Sequence, residues 1–307
     1  MNKLVFDIGG TNTKFALMSE NGDILEREKI RTDYSSAENF YTGIAGIALK
    51  YKNSADAIAI STNGRMDVTN EVYRAYTIGT VAGTNLKKEV EKRVGLPVSV
   101  INDGFAAALG EYRYGAGKGA KNMLGIVLGS GMGGGIILDG KVYAGSKNNS
   151  AMVFGMINGI DGGKVDLAGV STSFSMLLYK LAAIRQESPE NMTGERFFEL
   201  YESGDEMAKM LLSGYCRSIA YTVYNSAMLL DLDCIVVTGG LAARDAIIDG
   251  INDTLKGMLG SFDTDPATQM LLSMANVDMN DFSISVKKGE LLLDANLYGA
   301  FDILTCK

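Results

Sequence analysis

Four short stretches carry residue types whose spacing could do chemistry. The first is Asp7-Ile-Gly9-Gly10-Thr11-Asn12-Thr-Lys14. An aspartate at a strand end can hold a hydrated magnesium ion, paired glycines let backbone N–H groups approach a phosphate, and Thr11 adds a hydroxyl donor. The same residues would also suit an ordinary hairpin turn, and Lys14 reads first as an exposed strand lysine, with phosphate support as the alternative. The second stretch, Gly129-Ser130-Gly131-Met-Gly133-Gly134-Gly135, is glycine-dense beyond the need of a hairpin that two residues could turn. Every glycine costs chain entropy on folding, so close approach of a ligand is the better explanation. The run enters a strand rather than a helix, which does not match a dinucleotide fingerprint. The third, Thr238-Gly239-Gly240, lies between an apolar run and a helix, where its N–H groups could face an anion or simply allow packing. The fourth, Asn102-Asp103, closes a strand and opens a helix, a place where an aspartate commonly caps. The chain has no histidine, which excludes Ser-His and Cys-His nucleophiles, imidazole proton transfer and His-ligated metals. A general base must then be a carboxylate, a lysine or a tyrosine. Asp103 is the leading candidate, with Asn102 positioning a hydroxyl acceptor.

These residues need elements to hold them. Residues 4–25 read as strand, Gly-Gly turn, strand, Asn21-Gly22 turn and strand, and residues 124–143 repeat that plan with Asp139-Gly140 at the second turn. After the first meander the pattern gives a helix over 37–51, a strand over 55–61, a helix over 84–93, a strand over 97–102 and a helix from Asp103. After the second, a helical region over 171–230 is punctuated by Pro189 and by Ser203-Gly-Asp-Glu206, which resembles a capping box. A buried strand, the Gly239-Gly240 turn and a helix follow, and residues 290–304 have apolar spacing for a final helix. Strands alternating with helices imply parallel sheets with crossovers, here in two similar halves with a cleft between them. The hinge is expected in the glycines of residues 115–119.

Composition narrows the class further. With 47% apolar residues in 307, the chain can bury the cores of two domains. The net charge of -7 argues against a nucleic-acid surface, which needs a basic stripe. No apolar run approaches the length of a membrane span and none near Met1 reads as a signal peptide, so the expected location is the cytoplasm, with no membrane partner. Cys216, Cys234 and Cys306 are scattered and read as buried free thiols.

Taken together, "FDIGGTNTKFAL", "VIND" followed by "AAALGE", "VLGSGMGGGIILDG" and "VVTGG" resemble the ROK family of bacterial sugar kinases and sugar-responsive repressors, in the right order over nearly the whole chain. The resemblance implies an α/β, actin-like (ribonuclease H-like) duplicated fold of two domains with ATP in the interdomain cleft. One domain would be 1–115 plus 289–307, the other 116–288. Asp7, Gly9, Gly10, Thr11, Asn12 and Lys14 would form the first phosphate loop, with Asp7 near Mg2+. Gly129, Ser130, Gly131, Gly133 and Gly134 would form the second, and Gly239, Gly240 and Leu241 would lie by the adenosine. Asn63, Gly64, Asn102 and Asp103 would meet the sugar, with Asp103 activating its hydroxyl.

The chain also departs from the family. Members usually carry Gly-Glu-x-Gly-His after the second meander, whose Glu binds sugar hydroxyls and whose His ligates a structural zinc with a cysteine cluster. Here Val153 stands at the Glu place in the sugar site and Met156 at the His place, and no cysteine follows before Cys216. No zinc is expected. Relatives that lack zinc and end in "DANLYGA" resemble β-glucoside kinases, so the expected activity is ATP-dependent phosphorylation of a hexose or β-glucoside. The alternative is a non-catalytic sugar or nucleotide sensor, for which an apolar residue 153 speaks. A repressor of the same family would place a DNA-binding domain before the first loop, and the first strand here begins almost at Met1. The small-molecule sugar is the expected partner, and a homodimer is a common assembly in the family.

Overall fold

The computed structural model describes residues 1–66, 73–74, 79–161, 163–262, 265–278 and 282–305. Its first strand, β1 (Asn2–Ile8), is apolar on both faces, as a central strand must be. It pairs antiparallel with β2 (Asn12–Met18), which pairs antiparallel with β3 (Ile24–Arg31). Helix α1 (Ala37–Lys50), capped by the Ser36 side chain, crosses over to β4 (Ala55–Thr62), parallel to β1. The short strands β5 (Arg65–Met66) and β6 (Tyr73–Arg74) form a separate ladder. Helix α2 (Leu86–Val94), capped by Asn85 and stopped by the left-handed Gly95, returns to β7 (Val98–Asn102), parallel to β4. Helix α3 (Asp103–Tyr114) then leaves the sheet.

The plan repeats. Strands β8 (Met123–Leu128), β9 (Met132–Leu138) and β10 (Lys141–Val142) form the second meander. A hairpin of β11 (Ile157–Asp161) and β12 (Lys164–Leu167) precedes α4 (Ala168–Ser171), α5 (Phe174–Arg185), α6 (Gly194–Glu202) and α7 (Glu206–Leu230). Then come β13 (Cys234–Thr238), α8 (Asp245–Phe262), α9 (Pro266–Ala275), β14 (Lys287–Lys288) and α10 (Ala295–Thr305). The two large sheets have the orders β3-β2-β1-β4-β7 and β10-β9-β8-β13-β14, a meander followed by two parallel neighbours in each.

The first sheet buries one face under α1 and α2, and the second buries one face under α5 to α8. A third core joins them: Val5, Ala16 and Ala59 from the first sheet and Met123, Ile137 and Val236 from the second pack around Phe105, Ala106 and Ala108 of α3 and Leu297, Ala300 and Phe301 of α10. The two helices approach backbone to backbone, since a Cβ on Gly299 would stand 1.7 Å from the Ala106 carbonyl oxygen. The last helix starts at Ala295, later than the apolar spacing from residue 290 suggests, because Leu292 takes the left-handed backbone (φ 50°) in a 3-10 turn over Leu292–Asp294.

The sequence pattern differs from the structure at one further place, the polar run before α7. The helix after the Ser203-Gly-Asp-Glu206 run is capped by Asp205, whose carboxylate accepts from the Ala208 N–H. Ser203 instead closes α6, because the Gly204 turn (φ 93°) reverses the chain before a capping box can form. Residues 115–119 form a bonded turn: Gly117 N–H donates to the Glu111 carbonyl and Lys118 N–H to that of Gly115. Cys216 and Cys234 are buried thiols, and Cys306 lies outside the described residues. Among the described residues, no helix is long and apolar enough to cross a membrane.

Candidate active site

A cavity of about 520 Å³ opens where the two meanders face each other. One wall is Gly9, Gly10, Thr11, Asn63, Gly64, Asn102 and Asp103, and the other includes Gly129, Ser130, Gly131, Gly133 and Gly134. The structure thus brings both glycine turns and Asn102-Asp103 to one space.

The first turn is built around a carboxylate. Asp7 ends β1 with Lys14 opposite it in the β1–β2 register, and the Lys14 ammonium stands 3.6 Å from Asp7 Oδ2. Asn296 Nδ2 donates to Asp7 Oδ1 at 2.9 Å, and Ser61 Oγ at 3.4 Å. Burial pushes the Asp7 carboxyl up, against the downward pull of Asn296 and Lys14. Lys14 also donates to the Leu293 carbonyl at 2.9 Å, so it is no free surface lysine. The Gly9 carbonyl accepts from Thr32 Oγ1 at 3.0 Å and from the Tyr34 hydroxyl, which leaves Gly10 and Thr11 exposed at the tip. Asn12 lies behind the tip, its carbonyl accepting from Gly9 N–H at 3.0 Å.

Asp103 is the first residue of α3. Asn102 is the cap: its Oδ1 accepts from Gly104 and Phe105 N–H at 2.9 and 3.2 Å, and its Nδ2 donates to the Gly64 carbonyl at 2.9 Å. Asn102 thus holds Asp103 and Gly64 in place. Burial raises the Asp103 carboxyl to about 6, helped by the negative charge of Asp7 and opposed by the Gly104 N–H at 2.9 Å. The helix meets the second sheet at once, for a Cβ on Gly104 would lie 2.3 Å from the Gly134 carbonyl oxygen.

The second turn carries no charge. Gly129, Ser130 and Gly131 are exposed, Gly129 N–H donates to the Gly131 carbonyl at 3.0 Å, and Ser173 Oγ donates to the Ser130 carbonyl at 3.2 Å. Added Cβ atoms on Gly129, Gly131 or Gly133 would meet nothing within 4 Å, but one on Gly135 would lie 2.7 Å from the Ala108 Cβ of α3. The glycine run has two uses: its first part borders the cavity, and its end lets α3 lie flush on β9.

Gly239, Gly240 and Leu241 lie outside the cavity wall. Gly239 (φ 93°) presses on the second turn, since its Cβ would stand 2.5 Å from the Leu128 carbonyl oxygen. Leu241 begins a single 3-10 turn before α8. Val153, expected in the sugar site, is not among the residues that border the cavity. Its side chain is only 3% exposed and packs in the core of the second sheet, while its neighbours Met152 and Phe154 reach the cavity wall. A 3-10 turn over Val153–Gly155 sends the apolar side chain inward, next to Gly134. Asn296 and the segment Asn148–Ser150 also line the cavity and were not picked out in the sequence. A polar residue in the first turn of the last helix was the available signal for Asn296. Asp67, at the end of the Asn63-Gly64-Arg-Met-Asp stretch, lies outside the described residues.

Among the described residues, no three His, Cys, Asp or Glu side chains cluster as a metal cage. Asp7 is a single carboxylate faced by Asn296, Ser61 and Lys14 and is not itself among the residues that border the cavity.

Two sheets of identical order, each opened by a meander and facing across a cleft, define the actin-like ATPase fold. Residues 4–157 and 172–278 match the ROK family, and the chain belongs to that family. It is 32% identical over 249 residues to an uncharacterized protein of Clostridium perfringens, covering 79% of this chain and 82% of the other. It is 27% identical over 253 residues to a β-glucoside kinase of Listeria monocytogenes, covering 81% of this chain and 85% of that one. Among solved structures, a ROK family glucokinase from Streptomyces griseus in complex with glucose and AMPPNP superimposes with a TM-score of 0.79 at 26% identity, covering 99% of both chains.

Proposed function

We propose that this chain is a sugar kinase that transfers the γ-phosphoryl group of ATP to a hydroxyl of a hexose or β-glucoside, with Asp103 as general base. The observation that carries the reading is the placement of Asp103: a buried carboxylate at a helix start, held by Asn102, in the one cavity that both glycine turns border. With its carboxyl raised to about 6, Asp103 is ionised at neutral pH yet basic enough to accept the proton of a bound hydroxyl. The hydroxyl oxygen attacks the γ-phosphorus as Asp103 takes its proton, and ADP departs. The backbone N–H groups of the turns at Gly9–Thr11 and Gly129–Gly131 cradle the phosphates, and Gly239 to Leu241, packed behind the second turn at Leu128, seat the adenosine. Asp7, oriented by Asn296 and Ser61, would hold Mg2+ delivered with the nucleotide, which neutralises phosphate charge.

The domain division, 1–115 with 289–307 against 116–288, belongs to the same reading, each part holding one large sheet. The wall offers Asn63 and Asn148 amides beside Met152 and Phe154 and, among the described residues, no lysine or arginine, which suits a neutral glycoside. The sensor alternative drew on Val153 as an apolar sugar contact, and that side chain lies in the core.

Coupled ADP release with a panel of hexoses, aminohexoses and β-glucosides tests the proposal. Turnover is expected on at least one acceptor, with kcat/KM rising as the pH increases through about 6. Asp103→Asn should lower kcat by roughly 10²–10⁴-fold while AMPPNP still binds. Retained turnover in that variant would sink the base assignment, and bound nucleotide without turnover on any acceptor would favour the sensor.

A further inference from the structure

Two turns of helix beyond Asp103, Glu111 is fully buried and holds five donors. Its Oε1 accepts from Thr238 Oγ1 at 2.7 Å and from the N–H groups of Leu291 and Leu292 at 3.0 and 3.1 Å. Its Oε2 accepts from the N–H groups of Glu290 and Ala116 at 3.0 and 3.2 Å. Among the described residues no cation is paired with it, so these uncharged donors are what make burial of the carboxylate tolerable. The neighbourhood is shaped around it: a Cβ on Gly289 would stand 2.5 Å from Glu111 Oε1, and one on Gly115 2.1 Å from Oε2.

Glu111 and its donors sit on three parts of the site. Thr238 directly precedes the Gly239-Gly240 turn, and Gly239 in turn rests on Leu128, the residue before the second glycine turn. Residues 290–292 lead to Leu293, whose carbonyl takes Lys14, and to Asn296, which donates to Asp7. Glu111 itself rides on the helix that starts with Asp103. We infer that Glu111 is a positioning residue: its carboxylate joins the base helix to the seat of the nucleotide and to the strap that orients Asp7. A simple structural anchor would stabilise all three parts without setting nucleotide affinity. The inference rests on the kinase reading, which supplies the base role of Asp103 and the nucleotide seat at Gly239 to Leu241.

Glu111→Gln keeps the side-chain volume but turns one acceptor oxygen into an amide that cannot accept. Thr238→Val removes the hydroxyl donor, and Thr238→Ser keeps it. Affinity for AMPPNP without acceptor, the KM for ATP, the KM for the sugar, and thermal unfolding are measured for each. Glu111→Gln and Thr238→Val should weaken AMPPNP binding by about tenfold, as expected for hydrogen bonds to a charged group, and raise the KM for ATP in parallel. The acceptor KM should stay within about twofold of native, and Thr238→Ser should bind nucleotide like the native protein. If Glu111→Gln does not fold, the Thr238 pair decides. Native-like nucleotide affinity in the folded variants, or a Thr238→Ser as impaired as Thr238→Val, would overturn the role of Glu111. A native protein that binds no AMPPNP would overturn the kinase reading itself.

Discussion

The turns that follow β1 and β8 close the same kind of hairpin in sheets of the same strand order, yet they equip the site in opposite ways. The first gathers charge: Asp7 meets Lys14, Asn296 and Ser61, and Thr32 and Tyr34 hold the Gly9 carbonyl from behind. The second has no ionisable group and leaves Gly129, Gly131 and Gly133 open to space. The backbone plan is the same in both halves, while the ionisable side chains stand beside only the first turn. A phosphate needs both: donors that come close, which glycine permits, and a fixed charge environment, which a buried carboxylate network provides.

The widest separation of the two turns is expected from their polar side chains. Asp7→Asn should lower kcat/KM by about 10²-fold or more, since metal-assisted charge stabilisation is worth several kcal/mol. Ser130→Ala should cost less than about tenfold, its hydroxyl adding one neutral hydrogen bond. Steady-state kinetics on both would break the contrast if the losses were equal.

A second expectation concerns the stability that the charged side gives up. Asp103 is raised from 3.8 to about 6, so the native state holds this proton more tightly than the unfolded chain. Its contribution is fully present below pH 3.8 and lost as the pH rises through about 6. Above that, the ionised carboxylate costs the fold about 3 kcal/mol. Asp103→Asn, inactive, should therefore raise the unfolding free energy in denaturant titrations by up to that amount at alkaline pH and leave it unchanged in acid. An equal effect at both ends would show that Asp103 is not destabilised by its burial.

The smallest effects lie within the glycine run. Gly135→Ala forces a Cβ against Ala108 at 2.7 Å and should cost about 1–3 kcal/mol, read as a lower midpoint of unfolding. Gly133→Ala faces open space and should change stability by less than about 0.5 kcal/mol while weakening AMPPNP. Equal destabilisation would erase the division between packing and ligand-facing glycines.

The meanders and the crossover helices were legible because their signals are local, alternation and apolar runs, whereas the cap of α3 fell on Asn102, one residue before the aspartate that the sequence offered for it. The hairpin of β11 and β12 was not legible, for β12 is only four residues long and wholly exposed, so its alternation of Lys164, Val165, Asp166 and Leu167 marks no buried face. The capping box at residues 203–206 was misread because two adjacent helices competed for the same short polar run. At the site, glycine turns and Asn102-Asp103 could be picked out by type and order, but the direction of Val153 could not. Which way an apolar side chain turns depends on the core that receives it.

By itself, the sequence determined the duplicated order of elements and the absence of imidazole chemistry, since these follow from residue types and short-range periodicity. Only the tertiary structure decided that Asn296 reaches Asp7 across 289 positions, that Glu111 gathers donors from residues 116, 238 and 290–292, and that Gly135 serves helix packing rather than a ligand. Burial and hydrogen-bond partners are properties of what lies nearby in space, and chain distance does not encode them.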